Sequence, residues 1–101
     1  VLIYSFGEGI HGIYLLFRER IMTANTIREI LAAHSRLPQD FSALPGNADL
    51  YDLGLTSLSS VNIMLAIEDA FDIEFPDTKL NRKTFSSIDS LVETVEELVN
   101  G

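Results

Sequence analysis

Apolar positions recur at helical spacing in three stretches of the chain, separated by segments rich in proline, glycine and acidic residues. In the first stretch Ile27, Ile30, Leu31 and His34 follow the i, i+3, i+4, i+7 rhythm of one helix face. Thr26 and Glu29 stand at capping-box spacing beside them, so a helix is predicted from there to about Ser35. His34 occupies a helix-face or core-edge position. The second predicted helix spans about Ser57 to Phe71; Asp72, Ile73, Glu74 and Phe75 lead on to Pro76, which closes the run. The last helix is predicted to begin at Ser86 or Ser87, where Ser86 and Asp89 again have capping-box spacing. Ile88, Leu91, Val92, Val95, Leu98 and Val99 form its apolar stripe, and Glu93, Glu96 and Glu97 fall off it as a solvated face. Asn100 and Gly101 suit a C-terminal cap.

Between the first two helices lies a long irregular stretch, roughly Leu37 to Leu55, punctuated by Pro38, Pro45, Gly46 and Gly54. Loops of this length are usually functional or tied down. Phe41, Leu44, Leu50, Tyr51, Leu53 and Leu55 are the apolar anchors expected to hold it. A short helical turn is expected near Lys79 to Phe85. No strand-period alternation runs through the chain after residue 23. The pattern therefore predicts an all-α bundle of three main helices plus one short helix, with a long first loop.

The second helix has two apolar arcs. Ile63, Met64, Ile67 and Phe71 form the larger one and are assigned to the core. Leu58, Val61 and Leu65 fall roughly opposite. Either the long loop folds over them or they remain exposed as a docking surface for a partner. Glu68, Asp69, Asp72, Glu74 and Asp77 follow, with no base between Ser57 and Lys79, an arrangement that suits partners rich in Arg and Lys.

Residues 1–22 differ in character. They are apolar but contain Glu8, His11 and three glycines, too broken for a membrane span. Their arginines come late and no small-residue cleavage site follows, unlike a secretory signal. The expected division is an N-terminal extension over 1–22, arising from upstream translation with Met22 as an alternative start, and a folded domain over 23–101. The rival expectation is an amphipathic docking segment.

Composition narrows the function classes. With 101 residues the chain forms one small domain, with little room for a large catalytic cleft. It has no cysteine, hence no disulfide, thiolate nucleophile or Cys zinc site. His11 and His34 are its only imidazoles, and no metal site is expected. The net charge of −8 falls entirely on residues 23–101, because Glu8 and Glu19 cancel Arg18 and Arg20. Such a surface disfavours nucleic acid and anionic membrane and favours basic protein partners.

The segment Asp52-Leu53-Gly54-Leu55-Thr56-Ser57-Leu58 places a serine at a helix start after a glycine turn. Alone, Ser57 reads as an ordinary N-cap. The longer run DLGLTSLSSVNIMLAIEDAFDIEFPD, residues 52–77, resembles the acyl carrier protein family in its turn, serine, helix length and closing proline, and residues 87–92 resemble the start of that family's last helix. The stretches TIREILA, DLY, SVNIMLAIEDAFDIEFPD and LNRKTFSSI are similar to small stand-alone bacterial aminoacyl carrier proteins. The resemblance covers residues 23–101 and implies that Ser57 carries 4′-phosphopantetheine taken from CoA. It implies a cytoplasmic, monomeric, non-enzymatic carrier. The implied partners are a phosphopantetheinyl transferase, an amino acid:carrier protein ligase resembling a class II aminoacyl-tRNA synthetase or another acyl-loading enzyme, and a downstream acceptor enzyme. Thr56, Leu58, Val61, Asn62, Leu65, Glu68 and Asp69 are the candidate partner-recognition residues.

The sequence departs from the family pattern where Thr56 replaces the usual Asp, and where Ser59 and Asn62 stand at positions often acidic. This points away from the general fatty-acid machinery and toward a dedicated partner. A specialised fatty-acyl or polyketide carrier and a helical interaction module without the arm are the other readings. A serine hydrolase lacks a Gly-x-Ser-x-Gly elbow around Ser57 and an obviously placed histidine base.

Overall fold

The computed structural model describes residues 19–100. The docking-segment expectation for the first residues and the cap at Gly101 lie largely outside this range. Three helices account for the bundle: α1 covers 19–34 of the described residues, α2 Ser57–Phe71 and α3 Ile88–Asn100. A single 3-10 turn, Asp77–Lys79, lies between α2 and α3. It begins two residues ahead of the expected turn, directly after Pro76, whose extended backbone starts it. The described residues contain no strand.

The predicted cap at Thr26 is not used. The chain is helical from residue 19 straight through Thr26, and the boundary expected at 22/23 falls inside a continuous helix. Residues 19–25 contain neither glycine nor proline, so the preceding turn supplies carbonyl acceptors that a capping box would otherwise replace. Arg20 pairs with Glu96 of α3 at 3.2 Å, and Ala24 packs on the core, which ties this turn to the bundle. At the other end Arg36 adopts a left-handed conformation with φ 62°, and Pro38 follows.

The core is built from the predicted stripes. Ile27, Ile30 and Leu31 of α1 meet Ile63 and Ile67 of α2 and Ile88, Leu91, Val92 and Val95 of α3. Met64 and Phe71 are only half-buried, as is Leu98. Val99 departs from expectation: it shares the arc of Val92 and Val95 but is 54% exposed, in the last turn of α3. Phe75 and Phe85 stack at 5.8 Å between ring centroids and fix the α2–α3 connection.

The α3 cap falls to Ser87, not Ser86. Ser87 Oγ accepts from the Ser90 N–H at 3.1 Å, while the Ser86 hydroxyl donates to the Lys83 carbonyl at 2.7 Å. Asp89 does not complete a box with Ser86; its N–H donates to the Gly46 carbonyl at 3.0 Å.

The long loop is held as anticipated. Phe41, Leu50 and Leu55 are buried, and Leu44, Tyr51 and Leu53 pack partly on the core. Polar ties supplement them. Arg28 of α1 donates to the carbonyls of Phe41 and Leu44, each at 2.6 Å. Leu50 N–H donates to the Ser86 carbonyl at 2.8 Å. Gly46 sits so close to α3 that an added Cβ would collide with the Asp89 carboxylate.

Candidate functional site

The site begins with a chain of turns. Asp49 Oδ1 accepts from the Tyr51 N–H at 2.9 Å, and the Leu53, Gly54 and Leu55 N–H groups bond back to carbonyls of residues 49–51. Gly54 has φ 113°, a conformation a side chain would strain, and it faces Leu37 of the same loop. The coil delivers Thr56 in an extended conformation at the head of α2.

Thr56 is the N-cap. Its Oγ1 accepts from the Ser59 N–H at 3.1 Å, and its carbonyl accepts from the Ser60 N–H and from the Ser60 hydroxyl. Ser57 is therefore the first helical residue and has no capping role, which removes the ordinary-cap explanation for it. It is exposed. The Ser57 and Leu58 N–H groups are the ones at this helix end that lack an intrahelical acceptor, and the first turn carries no acid. An anion attached here meets the positive end of the helix dipole with no neighbouring carboxylate in the turn.

Exposure excludes one of the two alternatives for the second apolar arc. Leu58, Val61 and Leu65 are 73%, 48% and 53% exposed, so the long loop does not cover them. Asn62 and Asp69 are exposed beside them. Glu68 differs: it is half-buried, and its Oε2 accepts from the Phe75 N–H at 2.8 Å, which closes the chain after α2. Ser59 is 5% exposed, so its lack of charge reflects packing and not the character of the surface.

Next to Ser57 a groove of about 360 Å³ opens between α2 and the segments on either side of it. Ser57, Ser60, Val61 and Met64 line it from α2; Tyr51, Leu80 and Phe85 line it from the loop and the connection. Arg82 stands on its rim with its guanidinium 4.0 Å from the centre of the Tyr51 ring. Sequence reasoning did not find Tyr51 and Arg82 as site residues. They are 31 positions apart, and the available signal was only that Arg82 is among the first bases after Ser57.

His34 is exposed on α1 and does not line this groove, so among the described residues Ser57 has no imidazole base there. No group of three or more His, Asp or Glu among the described residues is arranged to hold a metal. No helix among them is long and apolar enough to cross a membrane.

Most of the chain is similar to known proteins. Residues 24–95 match the family model described as "Phosphopantetheine attachment site". An aminoacyl carrier protein of Agrobacterium fabrum is 53% identical over 76 residues, 75% of this chain and 92% of that protein. A carrier protein from Agrobacterium tumefaciens, solved with an engineered Bradyrhizobium japonicum glycine:carrier protein ligase and ATP, is 51% identical with a TM-score of 0.72. That similarity covers 75% of this chain and 99% of the solved one. A glycylated carrier protein solved with the Bradyrhizobium japonicum ligase is 26% identical with a TM-score of 0.62, over 72% of this chain and 97% of that one.

Proposed function

The chain belongs to the phosphopantetheine-attachment family, and on that premise we propose that Ser57 is its attachment serine and that the molecule serves as an aminoacyl carrier. The observation that carries this is the division of roles at the head of α2. Thr56 caps the helix, and Ser57 presents an exposed hydroxyl one residue later.

The residues present fit the arm. An exposed hydroxyl, an acid-free first turn and an adjoining groove lie together. Attachment replaces the Ser57 O–H bond with an O–P bond as the pyrophosphate linkage of CoA breaks; the nucleotide half leaves with its own phosphate, and the serine proton passes to a base of the transferase. The Ser57 and Leu58 N–H groups and the helix dipole then face the phosphodiester, a contribution of ~0.3–1 kcal/mol. The bound arm supplies a terminal thiol that holds a carboxyl group as a thioester, which this cysteine-free chain lacks among its side chains. The carrier is thus the substrate of other enzymes and not a catalyst.

The cargo reading rests on the aminoacyl carrier relatives, one of them solved in glycylated form. A ligase that activates an amino acid is the loading partner on this reading. It meets the exposed Leu58, Val61 and Leu65, with Thr56, Asn62 and Asp69 around them. Glu68 acts there through the Phe75 turn more than as a free surface charge. A transferase that attaches the arm and an acceptor enzyme for the cargo complete the set.

Incubation with CoA and a phosphopantetheinyl transferase is expected to add the mass of the arm to the wild type and nothing to Ser57→Ala. Loading of the modified protein with glycine, other amino acids and fatty acyl donors, each with its activating enzyme, then tests the cargo. The apolar lining of the groove at Met64, Leu80 and Phe85 favours the fatty-acyl alternative as runner-up. Loading by fatty acyl donors alone would remove the aminoacyl assignment.

A further inference from the structure

We propose that Arg82 is a positioning residue for the arm, pairing its guanidinium with the phosphodiester at Ser57; this deepens the attachment reading above and rests on it. Four observations converge. Arg82 and Ser57 line the same groove, so the cation and the attachment point face one space. Arg82 has no carboxylate within ion-pair distance among the described residues, whereas Arg20 and Lys79 are paired with Glu96 and Glu97. Its guanidinium lies 4.0 Å from the centre of the Tyr51 ring, and that stacking limits its freedom while leaving its N–H edges available. Tyr51 is itself held by the Asp49 turn, through its N–H to Oδ1 and through its carbonyl, which accepts from Gly54.

The chemistry matches. A phosphodiester offers two charged oxygens, and the fork of an arginine binds such a pair with geometry that an ammonium cannot reproduce. The chain carries a net charge of −8, and no base occurs between Ser57 and Lys79. Arg82 is the one cation lining the groove among the described residues. Lys79 and Lys83 line a separate, polar recess on the side of α3. Arg82 therefore holds the root of the arm against the Tyr51 side of the groove and sets the direction in which the arm leaves the protein.

The test compares the unmodified and modified protein, with mass establishing that the arm is in place. In wild type, modification is expected to shift the Arg82 Nε–Hε resonance and the Tyr51 ring resonances, and sodium chloride is expected to reverse the shift in part. The phosphorus resonance of the arm is expected to move in Arg82→Gln and to move less in Arg82→Lys, with helicity unchanged in both. A full mass gain with Arg82 and Tyr51 signals unmoved in wild type overturns the pairing while leaving the attachment site intact. Absence of any mass gain overturns the attachment reading, and the pairing with it. The wild-type comparison needs no variant, so a variant that fails to fold does not weaken the test.

Discussion

At the scale of single residues, the head of α2 separates two hydroxyls that look interchangeable in sequence. Thr56 does the structural work, and Thr56→Ala is expected to lower stability by ~0.5–2 kcal/mol in urea denaturation. Thr56→Asp restores the acid usual in the family and is expected to stay within about 0.5 kcal/mol of wild type, because aspartate also caps. Ser57→Ala is expected to change stability little and to abolish modification. The cap could not be assigned from sequence alone, since both residues favour it; φ and ψ at Thr56 decide it. Another local feature was not legible. Asp40 is held below its ordinary carboxylate value, first by the Ser42 hydroxyl, then by the Ser42 N–H. A carboxyl lowered in the folded state favours folding above its unfolded value, and that contribution disappears as pH falls through the folded value. An NMR titration is expected to show the Asp40 midpoint rising toward normal in Ser42→Ala.

At the scale of elements, α2 shows how one helix serves two surfaces. Ile63 and Ile67 are fully buried, and either one changed to Ala is expected to cost ~2–5 kcal/mol by denaturation. Leu65, on the other arc, is half-exposed, so Leu65→Asp is expected to remain within about 0.5 kcal/mol of wild type. Its expected effect is on loading: a rise in KM for the carrier at the activating ligase, read in a steady-state assay. Unchanged KM would separate this patch from ligase recognition. The limits of α2 were readable because Gly54 and Pro76 bracket it and the Thr-Ser pair offers a cap at its start. The start of α1 was not. A Thr-x-x-Glu spacing arises inside helices as well as at their ends, and only the residues before it decide which applies. The two arcs of α2 were readable as arcs, but their fates depended on where the long loop passes, a tertiary fact with no local signal.

At the scale of the molecule, charge and sites are laid out unevenly. Acids crowd the end of α2 and beyond it, while the first turn beside Ser57 has none. On the proposed reading, a basic partner would be steered by the whole acidic surface and docked by the small apolar patch. Raising salt is expected to lower kcat/KM for loading mainly through slower association, with Leu65→Asp reducing it at every salt concentration. The all-α bundle was legible from periodicity, because each core stripe repeats with the helix. What brings Tyr51 and Arg82 beside Ser57 was not, because it depends on the loop and the Phe75–Phe85 connection closing on the same side of α2.

The main-chain ties from Gly46 to Asp89 and from Leu50 to Ser86 have a consequence for biosynthesis. The turns that present Ser57 close on residues that are translated about 30 positions after it. A nascent chain still missing those residues holds the serine without its platform. On the proposed attachment at Ser57, a chain ending before Ser86 is expected to gain no arm on incubation with CoA and a transferase, as read by mass.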